Sequence, residues 1–183
     1  MPKPFQIIML IIFIAFGYSR CNTTSYTSEI NTVDSLIVVA KQLNQSIINI
    51  DSADVISRMV LVNSDFSFVQ DSLPSDLFIE ASVFLNNIKV VKKMGNSFSS
   101  EYKTLKKESQ YSIEQLNDLL VDLKGGTLSK KDCDKYIQDE SNALFLLNKH
   151  YNKIEFGLDV LYNKYSENRD DFYSLYQENQ GVK

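Results

Sequence analysis

The chain has 183 residues, long enough to bury the core of one domain, and its 44% apolar and 23% charged content is ordinary for a folded protein. A net charge of -4 and a pI near 5.0 argue against a nucleic-acid binder, which needs a basic face to displace counterions from phosphates. Six glycines and three prolines are too few for a many-turned β architecture, so long helices are expected.

Residues 1–20 read as a signal peptide. Lys3 precedes an apolar run from Phe5 to Phe16, interrupted only by Gln6. The run falls short of the about 20 apolar residues that a membrane span needs, and it suits the core of an export signal. An uncleaved anchor or a frayed hydrophobic end is the alternative. Ala15-Phe16-Gly17 and Gly17-Tyr18-Ser19 both put small residues where a leader peptidase requires them. Cys21 follows the apolar core directly and precedes a polar stretch, Asn22 to Ser25, which resembles a bacterial lipoprotein leader. Ser19 fits that pattern, whereas Tyr18 and Arg20 depart from it. The resemblance implies a lipid on Cys21 and attachment to a membrane through it. Left as a thiol, Cys21 could pair with Cys133 in an oxidising compartment.

Polar, aperiodic residues 21–29 read as a flexible tether, and residues 30–183 as a helical bundle domain. The first helical region runs from Ile30 to Val69, with apolar positions Val33, Leu36, Ala40, Leu43, Ile47 and Ile50 at helical spacing. After Asp51-Ser52 the pattern resumes out of phase as Val55, Met59, Val62, Phe66 and Val69, so this first helix breaks or bends near Asp51, where either residue can cap a new start. Asp71 to Pro74 ends it. A second helix opens at Pro74 or Ser75 and keeps its seam from Leu77 to Leu123, with only Gly95, Ser109 and Ser112 out of character. Gly125-Gly126 closes that helix, and Ser129 caps a third whose seam runs from Cys133 to Leu175. The pattern therefore predicts an all-α fold, an elongated antiparallel bundle of three long helices containing a long hairpin closed at Gly125-Gly126.

Matching heights across the two turns brings Gly95, Gly157 and Ile50-Asp51 into one layer. Small residues there make either a close-packed waist or a hinge or small pocket formed by Asp51, Gly95 and Gly157. The same matching sets Ser112 beside Glu140 and Ser109 beside Ala143, a polar layer that would fix register. Near the Gly125-Gly126 tip, Leu116, Leu119, Leu120, Leu123, Leu128 and Tyr136 are either covered by the tether or exposed as a patch for a partner.

The sequence offers little reactive chemistry. His150 is the one histidine, and two cysteines with it cannot supply a structural zinc site. Ser100-Glu101-Tyr102-Lys103 matches a Ser-x-x-Lys pattern without its companion motifs. Asn22-Thr23-Thr24 and Asn44-Gln45-Ser46 fit the glycosylation sequon at chance frequency. Six of the ten tyrosines crowd the third helix as a core stripe. No cofactor is implied. The expected protein is non-enzymatic, exported, and either anchored as a lipoprotein or secreted, a spacer or interaction module whose partner is another protein. A small-ligand sensor with a pocket at the Ile50, Gly95 and Gly157 layer is the alternative, and a membrane-active helical protein a further one.

Overall fold

A computed structural model describes residues 26–181, with the backbone alone at position 76. All regular structure among these residues is helical, arranged as a bundle. The proposed leader and Cys21 lie outside the described residues.

Helix α1 spans Thr27–Ile48 and α2 spans Ser52–Ser72. Asp51 separates them. Its Oδ1 accepts from the backbone N–H groups of Ala53 (3.1 Å) and Asp54 (3.0 Å), which satisfies two donors that the first turn of α2 leaves without partners. Leu73, before Pro74, is extended and ends α2. The second long helix starts later than expected. The chain makes a 3-10 turn at Ser75–Leu77, and α3 begins only at Ser82, running to Gly125. No side chain caps the start of α3, so Leu77 and Ala81 reach the core through irregular turns.

Gly126, at φ 65°, ends α3 in the left-handed conformation. Its N–H reaches Leu123 O (3.2 Å) and the N–H of Thr127 reaches Asp122 O (3.2 Å), the double bond pattern of a glycine-terminated helix. Ser129 Oγ accepts from Asp132 N (3.2 Å) and starts α4, Lys130–Asp159. The third helix departs from the sequence expectation at Val160–Tyr165, where the backbone widens into a π-helical turn before α5, Ser166–Asn179. One wide turn rotates the buried face. Val160 joins Leu161, Tyr165 and Phe172 in the core, although the sequence pattern omitted it.

Helix α3 is central, packing against α1, α2, α4, the π turn and α5. Across the Gly126 turn, Glu101 meets Lys153 at 3.1 Å, Met94 meets Gly157, and Asn87 meets Lys164. Against the first region the expected register is displaced. Ile50 O accepts from the Tyr102 hydroxyl (3.4 Å), about two helical turns from Gly95, and Gly95 faces Met59 instead. Asp51 therefore drops out of the expected layer, while Met94 against Gly157 keeps Gly95 and Gly157 at one height. The extra turns between Pro74 and Ser82 shift the register, and Asp51 is an exposed helix cap.

Each glycine instead receives a methionine. A Cβ at Gly95 would run into the mobile Cε end of Met59, whereas one at Gly157 would lie 2.6 Å from Cγ and 2.8 Å from Cβ of Met94, atoms that cannot swing aside. Gly95→Ala is thus expected to change stability little. Gly157→Leu should cost about 1–3 kcal/mol through overpacking. Chemical denaturation of the two variants checks this, and equal effects would mean that Met94 has room to move.

Candidate functional site

The densest polar constellation was not foreseen. Asp65 of α2 is 2% exposed, and four hydrogen bonds converge on its carboxylate. Tyr165 donates to Oδ2 at 2.5 Å and Tyr173 to Oδ1 at 2.8 Å, while Arg169 places Nε 2.7 Å from Oδ2 and Nη2 3.2 Å from Oδ1. One helical turn separates Tyr165 from Arg169 and another separates Arg169 from Tyr173, so all three point from one face. Asp65 itself stands at helical spacing between Val62 and Val69, and that spacing was the legible signal of a buried carboxylate. A second contact of the same kind lies higher. Asp54 Oδ2 accepts from Tyr162 (2.8 Å) and Arg58 (2.9 Å), and the Arg58 guanidinium covers the Tyr162 ring at 4.7 Å.

The π turn supplies this geometry, because Tyr162 and Tyr165 both belong to it. Buried Asn87 of α3 braces the turn by donating to Lys164 O (3.3 Å), and Ser166 Oγ donates to Leu161 O (3.3 Å). Below it an aromatic cluster closes the end of the bundle, with Phe84 stacked on Phe172 at 4.5 Å and Phe68 edge-on to Tyr176 at 5.0 Å.

As chemistry, the Asp65 cluster is saturated. The lone-pair directions of the carboxylate are taken by phenol and guanidinium donors, which leaves no acceptor facing a substrate. It acts as a clasp between α2 and the π turn with α5. Burial, then donation to Asp65, pushes the Tyr173 hydroxyl up to about 12, and the same two causes raise Tyr165 further. Burial and Asp54 push Tyr162 up to about 12. The Arg169 guanidinium is raised chiefly by its hydrogen bond to Asp65.

These shifts carry a sign. Unfolded phenols ionise near pH 10, whereas the folded ones hold their protons to about 12, so the folded state binds more protons in that window. Stability from the phenol donors is present below about pH 10 and is lost as pH rises towards 12. The melting temperature should fall across that window. The Tyr162→Phe, Tyr173→Phe double variant should be less stable at neutral pH but show a shallower alkaline decline; an unchanged slope would contradict the assignment.

A second feature is a groove between α3 and α4, about 250 Å³ in volume. Val90, Met94, Ile154, Phe156 and Gly157 form its apolar surface, and Lys93, Lys153 and Glu101 its charged one. Lys153 Nζ sits 3.1 Å from Glu101 Oε1. Burial works against the Glu101 charge, but hydrogen bonds from Ser97 and Lys153 and the charges of Lys153 and His150 outweigh it, holding the carboxyl below its usual range. Of the expected pocket residues, Gly157 lines this groove, whereas Gly95 and Asp51 do not.

Of the two alternatives for the tip, an exposed contact patch is not what the structure has. Leu116, Leu119 and Leu123 are buried, Leu120 and Leu128 are half-buried, and only Tyr136, at 43%, is exposed. The chain covers its own tip. Helix α1 begins at Thr27, earlier than the tether reading allowed, and buried Tyr26 donates its hydroxyl to Leu128 O at 2.6 Å. Lys130 pairs with Glu29 and Asp134 beside it. Cys133 is buried there and pairs with no cysteine among the described residues, its thiol raised by desolvation and by Asp134. Ser109 Oγ donates to Asn44 Oδ1 of α1 (2.8 Å), so this serine is bonded to α1, and Ser112 is buried. Half-buried Glu140 is raised by desolvation and by Asp139.

No protein-family model, characterised protein or solved structure matches this chain. Among the described residues no cluster of three metal-ligating side chains occurs, and no helix is long and apolar enough to cross a membrane.

Proposed function

We propose that the protein is an exported, non-enzymatic spacer that holds an apolar end at a distance from its N-terminal attachment point. One observation carries this reading. The described chain enters at the Gly126 end, where Tyr26 docks on Leu128, while Phe78, Ile79 and Val83 stand 48%, 83% and 59% exposed around the entry to α3. Those two ends are separated by the 44 residues of α3, about 66 Å at 1.5 Å per residue. Neighbouring exposed apolar side chains of this kind suit contact with another protein.

In this reading α1 with α2 forms one broken rod, α3 a second, and α4 through α5 a third. The last two make a long hairpin closed at Gly125-Gly126, an arrangement supported by the Glu101–Lys153, Met94–Gly157 and Asn87–Lys164 contacts. The leader and Cys21 would deliver the near end to a membrane by lipidation, or release the protein by cleavage.

Mass spectrometry of the mature protein tests the export half. The expected N-terminus is Tyr18, Arg20 or Cys21, with a diacylglyceryl group on Cys21 in the last case. An intact Met1 on a cytoplasmic protein refutes it. Cross-linking in the native envelope or secreted fraction tests the contact half. Ile79→Glu should abolish a specific adduct without altering the melt, and an unchanged adduct pattern would remove the apolar end from the account.

A further inference from the structure

We propose that the groove between α3 and α4 binds a short-chain organic anion, with its hydrocarbon on Met94 and Ile154 and its carboxylate on Lys93. This goes beyond the spacer reading and does not depend on it. The missing side chain at Gly157 lets Met94 lie against the α4 backbone and shapes the floor of the groove. That floor is apolar, as ligand sites are, and charged groups are confined to three residues. At about 250 Å³ the groove is below the usual size of a drug-sized pocket, which suits a small amphiphile with one short chain.

Charge complementarity selects the headgroup. Lys153 is neutralised by Glu101, whereas Lys93 is exposed and has no carboxylate within ion-pair distance among the described residues. An ammonium beside an apolar floor favours an amphiphile that ends in an anion, and it penalises one that ends in a cation. Glu101 is the single opposing charge of the groove. Its removal frees Lys153 for the ligand as well.

The test is calorimetric titration of the full chain with octanoate, using octanol and octylammonium as comparators. Octanoate should bind saturably at one site, octanol more weakly, and octylammonium not at all. Lys93→Glu should weaken octanoate by about ten-fold, the scale of one lost charge-assisted contact. Glu101→Gln should tighten it by about three-fold, a small gain because the Glu101–Lys153 pair is solvent-screened. Lys103→Glu, an exposed charge outside the groove, serves as the control and should leave affinity unchanged. All these positions lie at the surface or groove rim, so the variants should fold. Absence of saturable octanoate binding, equal affinity for octylammonium, or equal losses in Lys93→Glu and Lys103→Glu would each overturn the proposal.

Discussion

Asp65→Ala is expected to cost the fold about 3 kcal/mol, the lower end of the range for removing one partner of a buried ion pair. The substitution strands four donor groups on three side chains at once. Buried Tyr165 loses its acceptor, and Tyr173 and Arg169 lose theirs. The Arg169 side chain is 35% exposed and can turn to water, which keeps the loss from the upper end of the range. Tyr173→Phe, which removes one donor and leaves Asp65 bonded to Tyr165 and Arg169, should cost only about 1 kcal/mol. Urea denaturation of the three proteins separates the two sizes. A loss for Asp65→Ala no greater than that for Tyr173→Phe would mean that the clasp contributes specificity rather than stability.

Leu161→Asp is expected to abolish cooperative folding. Leu161 is 0% exposed and lies in the π turn, where the wide backbone directs it into the core with Val160 and Tyr165. A carboxylate there faces apolar side chains, and an unpaired buried charge costs several kcal/mol, a large part of the stability of a domain this size. Asn152→Asp, at an exposed position of the same rod, adds the same charge and should melt like the parent. Thermal melts followed by circular dichroism give the readout. A Leu161→Asp melt within about 2 °C of the parent, less than 1 kcal/mol produces in a domain of this length, would mean that the π turn does not face the core.

Much of the fold was legible along the chain because its signals are local. Val33, Ala40, Leu43 and Ile47 of α1, Phe84, Ile88, Val91, Phe98, Leu105, Leu116, Leu119 and Leu123 of α3, and Cys133, Leu144, Leu147 and Ile154 of α4 are buried where their spacing put them. A helical period depends only on neighbours three and four residues away. The break at Asp51, the left-handed Gly126 and the Ser129 cap were readable for the same reason, since each rests on side-chain or backbone chemistry within one turn.

The candidate sites were mostly illegible. Arg169 and Tyr173 find Asp65 from more than a hundred positions away along the chain, and nothing near Asp65 announces them. The tyrosine spacing from Tyr136 to Tyr176 reads as apolar filling, but three of these side chains are hydroxyl donors to carboxylates of α2.

By itself, then, the sequence determined the all-α class, the faces that turn inward and the places where the chain caps or breaks. Tertiary structure decided the register of the first region on α3, the π turn, the Asp65 clasp, the groove at Gly157 and the burial of the tip under Tyr26. The physical division is one of range. Propensity and periodicity act within a turn or two, whereas register accumulates every residue spent in a connection. The irregular turns between Pro74 and Ser82 moved Gly95 from Asp51 to Met59, and no local rule counts them.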